Sequence, residues 1–286
     1  MPLPEIVAGI RLGEVQRLMQ GVLDPLDTRV LLSFSLGLSR VQLITQSERQ
    51  LSSEEAERVR ALLARRIAGE PVAYLVGERE FYGLSFHVTP DVLIPRPETE
   101  LLVELALERL PSGGRVLDLG TGSGAIAVAI AADAAHAGPD VRVTAVDASA
   151  AALAVARGNA ARLLSRQTVD FICSDWYAAL PRGARFELIV SNPPYIEQND
   201  AHLQQGDLRF EPADALTDHA DGLSALRTII AGAPQYLVPG GWLLMEHGYD
   251  QAEAVRALLV AQPFQQVRSW RDLAGLERVT GGMLHA

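Results

Sequence analysis

Four consecutive residues could hold a planar nitrogen for reaction: Asn192, Pro193, Pro194 and Tyr195. Such a nitrogen is a poor nucleophile because its lone pair is delocalised, as the ~18–20 kcal/mol rotational barrier of the peptide bond shows. If the Asn192 side-chain oxygen and the Pro193 carbonyl oxygen each accept one N–H, the nitrogen is oriented and the charge that develops on it is stabilised. The prolines keep that carbonyl rigid, and Tyr195 can stack on the planar group. We therefore predict that all four bind substrate, with Asn192 and Pro193 catalytic.

A glycine-rich turn between an apolar strand and a helix is the second candidate site. It consists of Gly120, Thr121, Gly122, Ser123 and Gly124. Glycines allow a ligand to lie against the backbone and the helix N-terminus. The next apolar segment ends at Asp147, which is placed to accept hydrogen bonds from ribose hydroxyls. After the third segment, Trp176 can stack on a nucleobase. The alternatives are an ordinary tight turn with a solvent-facing aspartate and a tryptophan that only packs in the core.

The spacing of the glycines limits which nucleotide could bind. The turn reads G-x-G-x-G rather than the G-x-G-x-x-G of dinucleotide-binding folds, and the sequence has no lysine with which to form a P-loop. The turn therefore matches neither the dinucleotide fingerprint nor a P-loop.

The elements that must position these residues alternate along the chain. From Gly114 onward, apolar strands alternate with helices, which predicts an α/β fold with a mostly parallel, helix-covered sheet, and residues 266–284 read as a final hairpin. The tetrapeptide and Asp147 both follow strands of this sheet. The chain before Gly114 provides a further set of elements. Residues 1–75 read as a helical domain, 76–97 as a β-hairpin linker and 98–286 as the catalytic domain.

Particular signals mark two helix starts in the N-terminal half. Ser52 and Glu55 form a capping box, and Thr99 can cap the helix that opens the catalytic domain. The helical domain is either a small bundle with its own core or a substrate-docking module.

Composition excludes several classes of protein. The chain has 286 residues, 48% of them hydrophobic, with no apolar run near the ~20 residues of a membrane span. Charged residues near the start, Glu5, Arg11 and Glu14, interrupt any signal-peptide core. The single cysteine, Cys173, fits a reducing compartment, so we expect a cytoplasmic protein. A net charge of -10 argues against nonspecific nucleic-acid binding. The six histidines lack the spacing of metal ligands, so we predict no metal site.

Six segments carry a family resemblance. The glycine turn resembles motif I of class I S-adenosylmethionine-dependent methyltransferases, and Asn192 to Tyr195 resemble the [DN]-PP-[YFW] motif of enzymes that methylate planar nitrogen. Over essentially the whole chain, the sequence is similar to bacterial release factor N(5)-glutamine methyltransferases, the PrmC or HemK family. The segments are LIPRPETE, DLGTGSGAIA, AVDAS, SDWY, NPPYI and RDLAGLERVT.

The resemblance implies a Rossmann-like, mostly parallel seven-stranded sheet and S-adenosylmethionine as cofactor. The turn from Gly120 to Gly124, Asp147, Trp176 and Asn192 would contact the cofactor, and Asn192 to Tyr195 would hold a glutamine. The implied substrate is the glutamine of the Gly-Gly-Gln motif in class 1 peptide chain release factors, whose methylation supports translation termination. We expect a monomer. Four further residues would line the docking rim or form surface ion pairs: Arg96, Glu98, Arg271 and Arg278.

Three other functions are weighed against this one. A related enzyme methylates glutamine in a large-subunit ribosomal protein, but that branch carries Arg-Ser-Pro where this chain has Arg96-Pro97-Glu98. An N(6)-adenine DNA methyltransferase would share the tetrapeptide chemistry but needs a target-recognition region and a basic surface. A noncatalytic cofactor-binding scaffold would not need the tetrapeptide's two acceptors.

Overall fold

The chain folds into two compact units, Met1–Glu78 and Arg79–Ala286. The structure is a computed structural model that describes residues 5–137, 141–166 and 169–285. Residues 1–4 of the predicted helical domain lie outside the described residues, as do residues 138–140, 167–168 and Ala286 of the predicted catalytic domain. No helix in the described part of the chain is both long and apolar enough to cross a membrane.

The first unit is a helical bundle. Its helices pack around one apolar core that includes Leu32 and Leu63. The predicted capping box is confirmed, since the Ser52 hydroxyl accepts from the Glu55 N–H and the Glu55 carboxylate accepts from the Ser52 N–H. The helices are α1 (Leu12–Leu18), α2 (Pro25–Leu36), α3 (Arg40–Thr45), α4 (Ser53–Ile67) and α5 (Val72–Val76).

A hairpin of β1 (Glu78–Phe81) and β2 (Leu84–His87) follows the helical unit. It lies within the predicted linker 76–97. Its Phe81 and Phe86 are buried in the core of the second unit, with their rings edge to face at 6.0 Å. The carbonyl and N–H of His87 bond the side chain of buried Asn159. The hairpin is therefore packed as part of the second unit.

The second unit contains a seven-stranded sheet in the order β5-β4-β3-β6-β7-β9-β8. All pairs are parallel except β7 with β9 and β8 with β9, so the predicted mostly parallel sheet and final hairpin are confirmed. The strands are β3 (Arg115–Leu119), β4 (Arg142–Asp147), β5 (Val169–Cys173), β6 (Phe186–Ser191), β7 (Leu237–Glu246), β8 (Phe264–Arg271) and β9 (Glu277–Leu284).

Helices cover both faces of this sheet. Consecutive residues Val116 and Leu117 belong to two different hydrophobic clusters, as the alternation of side chains along a strand requires. Burial on both faces explains the continuous apolar runs in the sequence. The helices are α6 (Glu100–Arg109), α7 (Ala125–Ala137), α8 (Ala150–Leu163), α9 (Ala213–Leu216), α10 (Ser224–Gly232) and α11 (Ala252–Val260).

The strand order determines where the predicted site residues meet. The chain runs outward from β3 to β4 and β5, then returns to β6 on the other side of β3. In such a sheet, ligands bind beyond the carboxyl ends of the strands at this reversal of order. Gly120 follows β3 and Asn192 follows β6, so both candidate sites lie at that edge.

Candidate active site

A cavity of about 470 Å³ lies at this edge of the sheet, within the ~300–1,000 Å³ typical of small-molecule sites. Its walls come from the ends of β3, β4 and β6, the segment after β5, and two loops around Val92 and Pro212. Six of the predicted site residues line it: Gly120, Gly122, Asp147, Trp176, Asn192 and Pro194.

The glycine turn forms one wall of the cavity. Gly120 and Thr121 both donate their N–H to the Val146 carbonyl at 2.9 Å, which fastens the turn to the end of β4. Gly120 has φ +74°, and a Cβ there would come within 3.7 Å of the Trp176 ring and 4.0 Å of the Asn192 carbonyl oxygen. These are ordinary contact distances, so the left-handed φ, which residues with a side chain rarely adopt, explains a glycine here.

Three residues of the turn, Thr121, Ser123 and Gly124, are absent from the cavity lining and make contacts within the protein. The Thr121 hydroxyl donates to Asp118 at 2.6 Å, and the Ser123 carbonyl accepts from Asn159 at 2.9 Å. A Cβ on Gly124 would lie 3.1 Å from that of Ala156 on α8. These contacts hold the turn in shape, and direct cofactor contact by the three residues remains a prediction.

Two carboxyl groups support the turn from different sides. Asp118 is fully buried, and burial raises its pKa to about 7 despite the opposing hydrogen bond from Thr121. Asp147 Oδ2 accepts from the Gly122 N–H and Oδ1 from the Ser149 N–H, both at 2.8 Å. Burial raises the pKa of Asp147, and these N–H groups oppose that effect. Since a carboxylate has about four acceptor positions, Asp147 keeps capacity for ribose hydroxyls.

Trp176 lines the cavity and also packs against the core, and its stacking on a nucleobase stays a prediction. Its φ is +44°, a left-handed conformation that is unusual for a bulky residue. Such conformations persist where the surrounding structure enforces them, often at functional sites. The strained backbone holds the indole opposite Gly120, where a nucleobase could stack.

Asn192 is oriented by a residue with a different predicted role. Its Nδ2 donates to the Thr99 hydroxyl at 3.2 Å, which leaves Oδ1 as the atom that can accept from a ligand. The prediction that Thr99 caps α6 was wrong, because its backbone is helical and its side chain makes no capping bond. The buried hydroxyl instead faces the tetrapeptide. Pro193 is buried and does not line the cavity.

Tyr195 ends the tetrapeptide and is fixed at two atoms. Its hydroxyl donates to Glu246 Oε1 at 3.2 Å, and its carbonyl accepts from Gln251 Nε2 at 2.9 Å. Burial raises the pKa of Tyr195. Burial also raises the pKa of Glu246 to about 7, opposed by the hydroxyl of Thr99, the charge of Arg278 and the hydroxyl of Tyr195.

The predicted rim residues differ in their surroundings. Arg96 forms an ion pair with Glu211, whose side chain is fully buried and whose Oε2 accepts from the Ile94 N–H at 3.0 Å. Arg96 is thus no surface ion pair: it joins the linker to the loop that contributes Pro212 to the cavity. Arg278 bonds Asp272 at 3.4 Å and the His247 carbonyl at 3.5 Å.

The other two rim residues lie in different settings. The negative charge of Glu98 helps to raise the pKa of Glu246. Arg271 is exposed and bonds the Gly275 carbonyl at 2.8 Å, in the turn of the final hairpin. Within the described residues, no three His, Cys, Asp or Glu side chains are grouped to hold a metal ion.

Sequence reasoning missed Thr99, Glu211 and Glu246. Glu246 had a usable signal, since it ends a buried strand as Asp147 does. Thr99 and Glu211 come from segments without a regular spacing, and only the folded chain brings them to the site.

The sheet order, the glycine turn and the strand-end residues together define a class I methyltransferase fold. A family model described as methyltransferase small domain matches residues 97–218, and one described as PrmC N-terminal domain matches residues 15–77. The chain belongs to the release factor glutamine methyltransferase family.

Two relatives support this assignment, and one solved structure shares the fold. A release factor glutamine methyltransferase of Burkholderia pseudomallei is 58% identical over 92% of this chain and 93% of its own length. One of Bordetella pertussis is 56% identical over 92% of this chain and 96% of its own length. A solved methyltransferase from Pyrococcus furiosus shares the fold with a TM-score of 0.55 at 16% identity, over 78% of this chain and 98% of that one.

Proposed function

We propose that this protein transfers a methyl group from S-adenosylmethionine to the side-chain amide nitrogen of the glutamine in the Gly-Gly-Gln motif of class 1 peptide chain release factors. One observation carries the proposal beyond family membership. The Asn192 amide, oriented by Thr99, lies at the cavity that the glycine turn bounds. A noncatalytic binder would not need an oriented acceptor there.

The cavity fits S-adenosylmethionine in its chemistry. The Asp147 carboxylate would accept from the ribose hydroxyls, the Trp176 ring would lie against the adenine, and the space beside Gly120 would admit the ligand against the backbone. When bound, the cofactor supplies an electrophilic methyl group on a sulfonium. The turn is already held by its own hydrogen bonds, so little ordering is needed when the ligand binds.

The tetrapeptide would hold the substrate amide. Asn192 Oδ1 and the Pro193 carbonyl oxygen each accept one N–H, so the nitrogen lone pair faces the methyl group and the developing positive charge meets two fixed dipoles. No strong base is required to begin the transfer, and the proton lost from nitrogen passes to solvent. Tyr195 forms a wall for the planar amide, held by Glu246 and Gln251.

The helical unit would bind the release factor outside the catalytic site. Leu26 and Phe34 are 60% and 53% exposed and line a groove on this unit together with Arg29 and Arg40. An apolar groove with two cations suits a protein surface that presents apolar and acidic side chains. This supports a domain division into a docking domain, a hairpin and a catalytic domain. We further propose a monomer that acts in the cytoplasm, where translation terminates.

Mass spectrometry tests the proposed reaction directly. Unmethylated release factor is incubated with the protein and S-adenosylmethionine, digested, and the peptide with the Gly-Gly-Gln motif is fragmented. We expect one methyl group on the glutamine side chain. Methylation elsewhere on the release factor, or none, would contradict the proposal.

A further inference from the structure

Glu246 bonds the Tyr195 hydroxyl and also lies near the other end of the tetrapeptide. It is the last residue of β7, and the register that pairs Ser191 with Met245 sets Glu246 beside Asn192 at the ends of neighbouring parallel strands. The residue is 1% exposed, and its Oε2 atom makes no hydrogen bond of normal geometry within the described residues. A buried carboxyl group with an unsatisfied oxygen lowers stability, so packing alone does not explain it.

The contacts of Glu246 lead to both ends of the tetrapeptide. Oε1 accepts the Tyr195 hydroxyl at 3.2 Å, and the Thr99 hydroxyl also faces the carboxyl group. Thr99 in turn contacts Asn192 Nδ2 at 3.2 Å. One side chain is therefore connected to Asn192 through a single hydroxyl and to Tyr195 directly.

The direction of these hydrogen bonds follows from what each group can donate. Above its pKa of about 7, Glu246 is a carboxylate that only accepts, so in this ionised form the hydroxyl hydrogens of Tyr195 and Thr99 point toward it. The Thr99 oxygen is then an acceptor, and it takes its hydrogen bond from the NH₂ end of the Asn192 amide. The NH₂ end of an amide donates and its oxygen accepts. With Nδ2 bonded to Thr99, Oδ1 is the end of the Asn192 side chain that can accept a substrate N–H.

We propose that Glu246 is a positioning residue for the substrate glutamine, which sets the orientation of the Asn192 amide through Thr99 and holds the Tyr195 ring. The inference rests on the proposed function, since it concerns the same amide clamp. A glutamine at this position has nearly the same shape, but its NH₂ can donate to the Thr99 oxygen. The Thr99 hydrogen is then free to bond Asn192 Oδ1 if the Asn192 amide turns over, and this rotation removes that oxygen from the substrate.

The experiment measures steady-state methylation of intact release factor by the full-length protein and its variants. For Glu246→Gln we expect a decrease in kcat of about 10- to 100-fold, typical of misplaced reacting groups, with little change in S-adenosylmethionine affinity. Thr99→Val, which removes only the hydroxyl, should give a loss of similar size, and Thr99→Ser should recover most of it. The double variant Glu246→Gln with Thr99→Val should lose less than the product of the two single losses, since both act on one interaction.

Thr280→Val is the matched control. Thr280 is buried on β9 and bonds His247 at 2.7 Å, so this variant also loses a buried hydroxyl, but one outside the tetrapeptide network. Its kcat should stay near that of the wild type even if its melting temperature falls. A wild-type kcat in Glu246→Gln, or multiplicative losses in the double variant, would overturn the inference while the proposed function stands. Absence of methyl transfer by the wild-type protein would instead overturn the proposed function and the inference with it.

Discussion

At the scale of single residues, the site combines groups that face the cavity and groups that orient them. Asn192 and Asp147 face the cavity, whereas Thr99, Thr121 and Ser123 act from behind it. The sequence motifs identify the facing groups because their types follow from the chemistry of the ligand. The orienting groups have no such signature, because any hydroxyl or carbonyl at the correct point would serve.

Replacing Asp147 should weaken cofactor binding. In Asp147→Ala the ribose loses a charged acceptor, worth ~1.5–3 kcal/mol, and the Gly122 N–H loses its partner. Calorimetric titration with S-adenosylmethionine should show this loss of affinity. Asp170→Ala, at an exposed position on neighbouring β5, should bind like the wild type. Equal affinity in all three proteins would show that Asp147 does not contact the ribose.

The titration of Glu246 should make stability depend on pH. Its folded pKa of about 7 lies above the ~4.3 of an unfolded glutamate, so the folded state favours the neutral acid. The contribution of Glu246 to the free energy of unfolding is therefore complete below the pKa of the unfolded state. It is lost as pH rises through the pKa of the folded state. Other charged groups could also affect the pH dependence: Asp118, whose pKa is also about 7, and Glu98 and Arg278, whose charges act on Glu246. All three are present in both the wild type and the Glu246→Gln variant.

Glu246→Gln should therefore raise the melting temperature more at about pH 8 than at about pH 5, because only the wild type must bury a charge at the higher pH. Each kcal/mol of unfolding free energy corresponds to a shift in melting temperature of roughly 2–4 °C for a domain of this size. Scanning calorimetry at both pH values measures the difference, with Glu253→Gln at an exposed site on α11 as the control. A difference in melting temperature that is the same at both pH values would contradict the burial argument.

At the scale of elements, the edge of the parallel sheet gathers strand-end residues, and loops complete the cavity. The loop that follows the tetrapeptide is fastened back onto it. Gln251 Nε2 donates to the carbonyls of Tyr195 and Gly222, at 2.9 and 3.2 Å. A Cβ on Gly222, which has φ +75°, would lie 2.6 Å from the Tyr195 carbonyl oxygen. No side chain fits there unless the end of the tetrapeptide moves.

Gly222→Ala should therefore lower kcat as well as stability, because the added methyl group displaces Tyr195. Gly206→Ala is the matched control in the same loop, since Gly206 also has a left-handed φ, +55°, but open space at its Cβ position. The control should lose about 1–2 kcal/mol of stability from backbone strain alone and keep its kcat. Equal kcat values in the two variants would argue against a coupling between this loop and the tetrapeptide.

The strands, most helices and the final hairpin were predictable from the sequence, because periodicity and glycine placement report local structure directly. The helix cap at Thr99 was mispredicted because a tertiary partner, Asn192, competes for the hydroxyl. The burial of Glu211 with Arg96 could not be predicted, since the two residues are 115 positions apart in the chain. Their pairing depends on how the loops close over the sheet edge, which local patterns do not encode.

At the scale of the whole molecule, the chain joins a helical unit to a methyltransferase unit, and each has its own core. We predict that the exposed groove of the helical unit contributes to release-factor affinity. Phe34→Glu should raise KM for release factor several-fold and leave kcat and S-adenosylmethionine affinity unchanged, since Phe34 lies in the other unit from the cavity. Val260→Glu places the same charge at a 68% exposed apolar site on the methyltransferase unit and serves as the control. Equal KM values for both variants and the wild type would contradict a docking role for the groove.

The most direct test of the account compares three acceptors for labelled methyl groups from S-adenosylmethionine: unmethylated release factor, its Gln→Ala variant at the Gly-Gly-Gln motif, and duplex DNA. We expect label on the unmodified release factor alone, because only this acceptor carries the motif glutamine whose amide we propose that Asn192 and Pro193 hold. Label on DNA would mean that the tetrapeptide holds adenine. Label on the Gln→Ala variant equal to that on the unmodified factor, or on no acceptor, would contradict methylation of the motif glutamine by this protein.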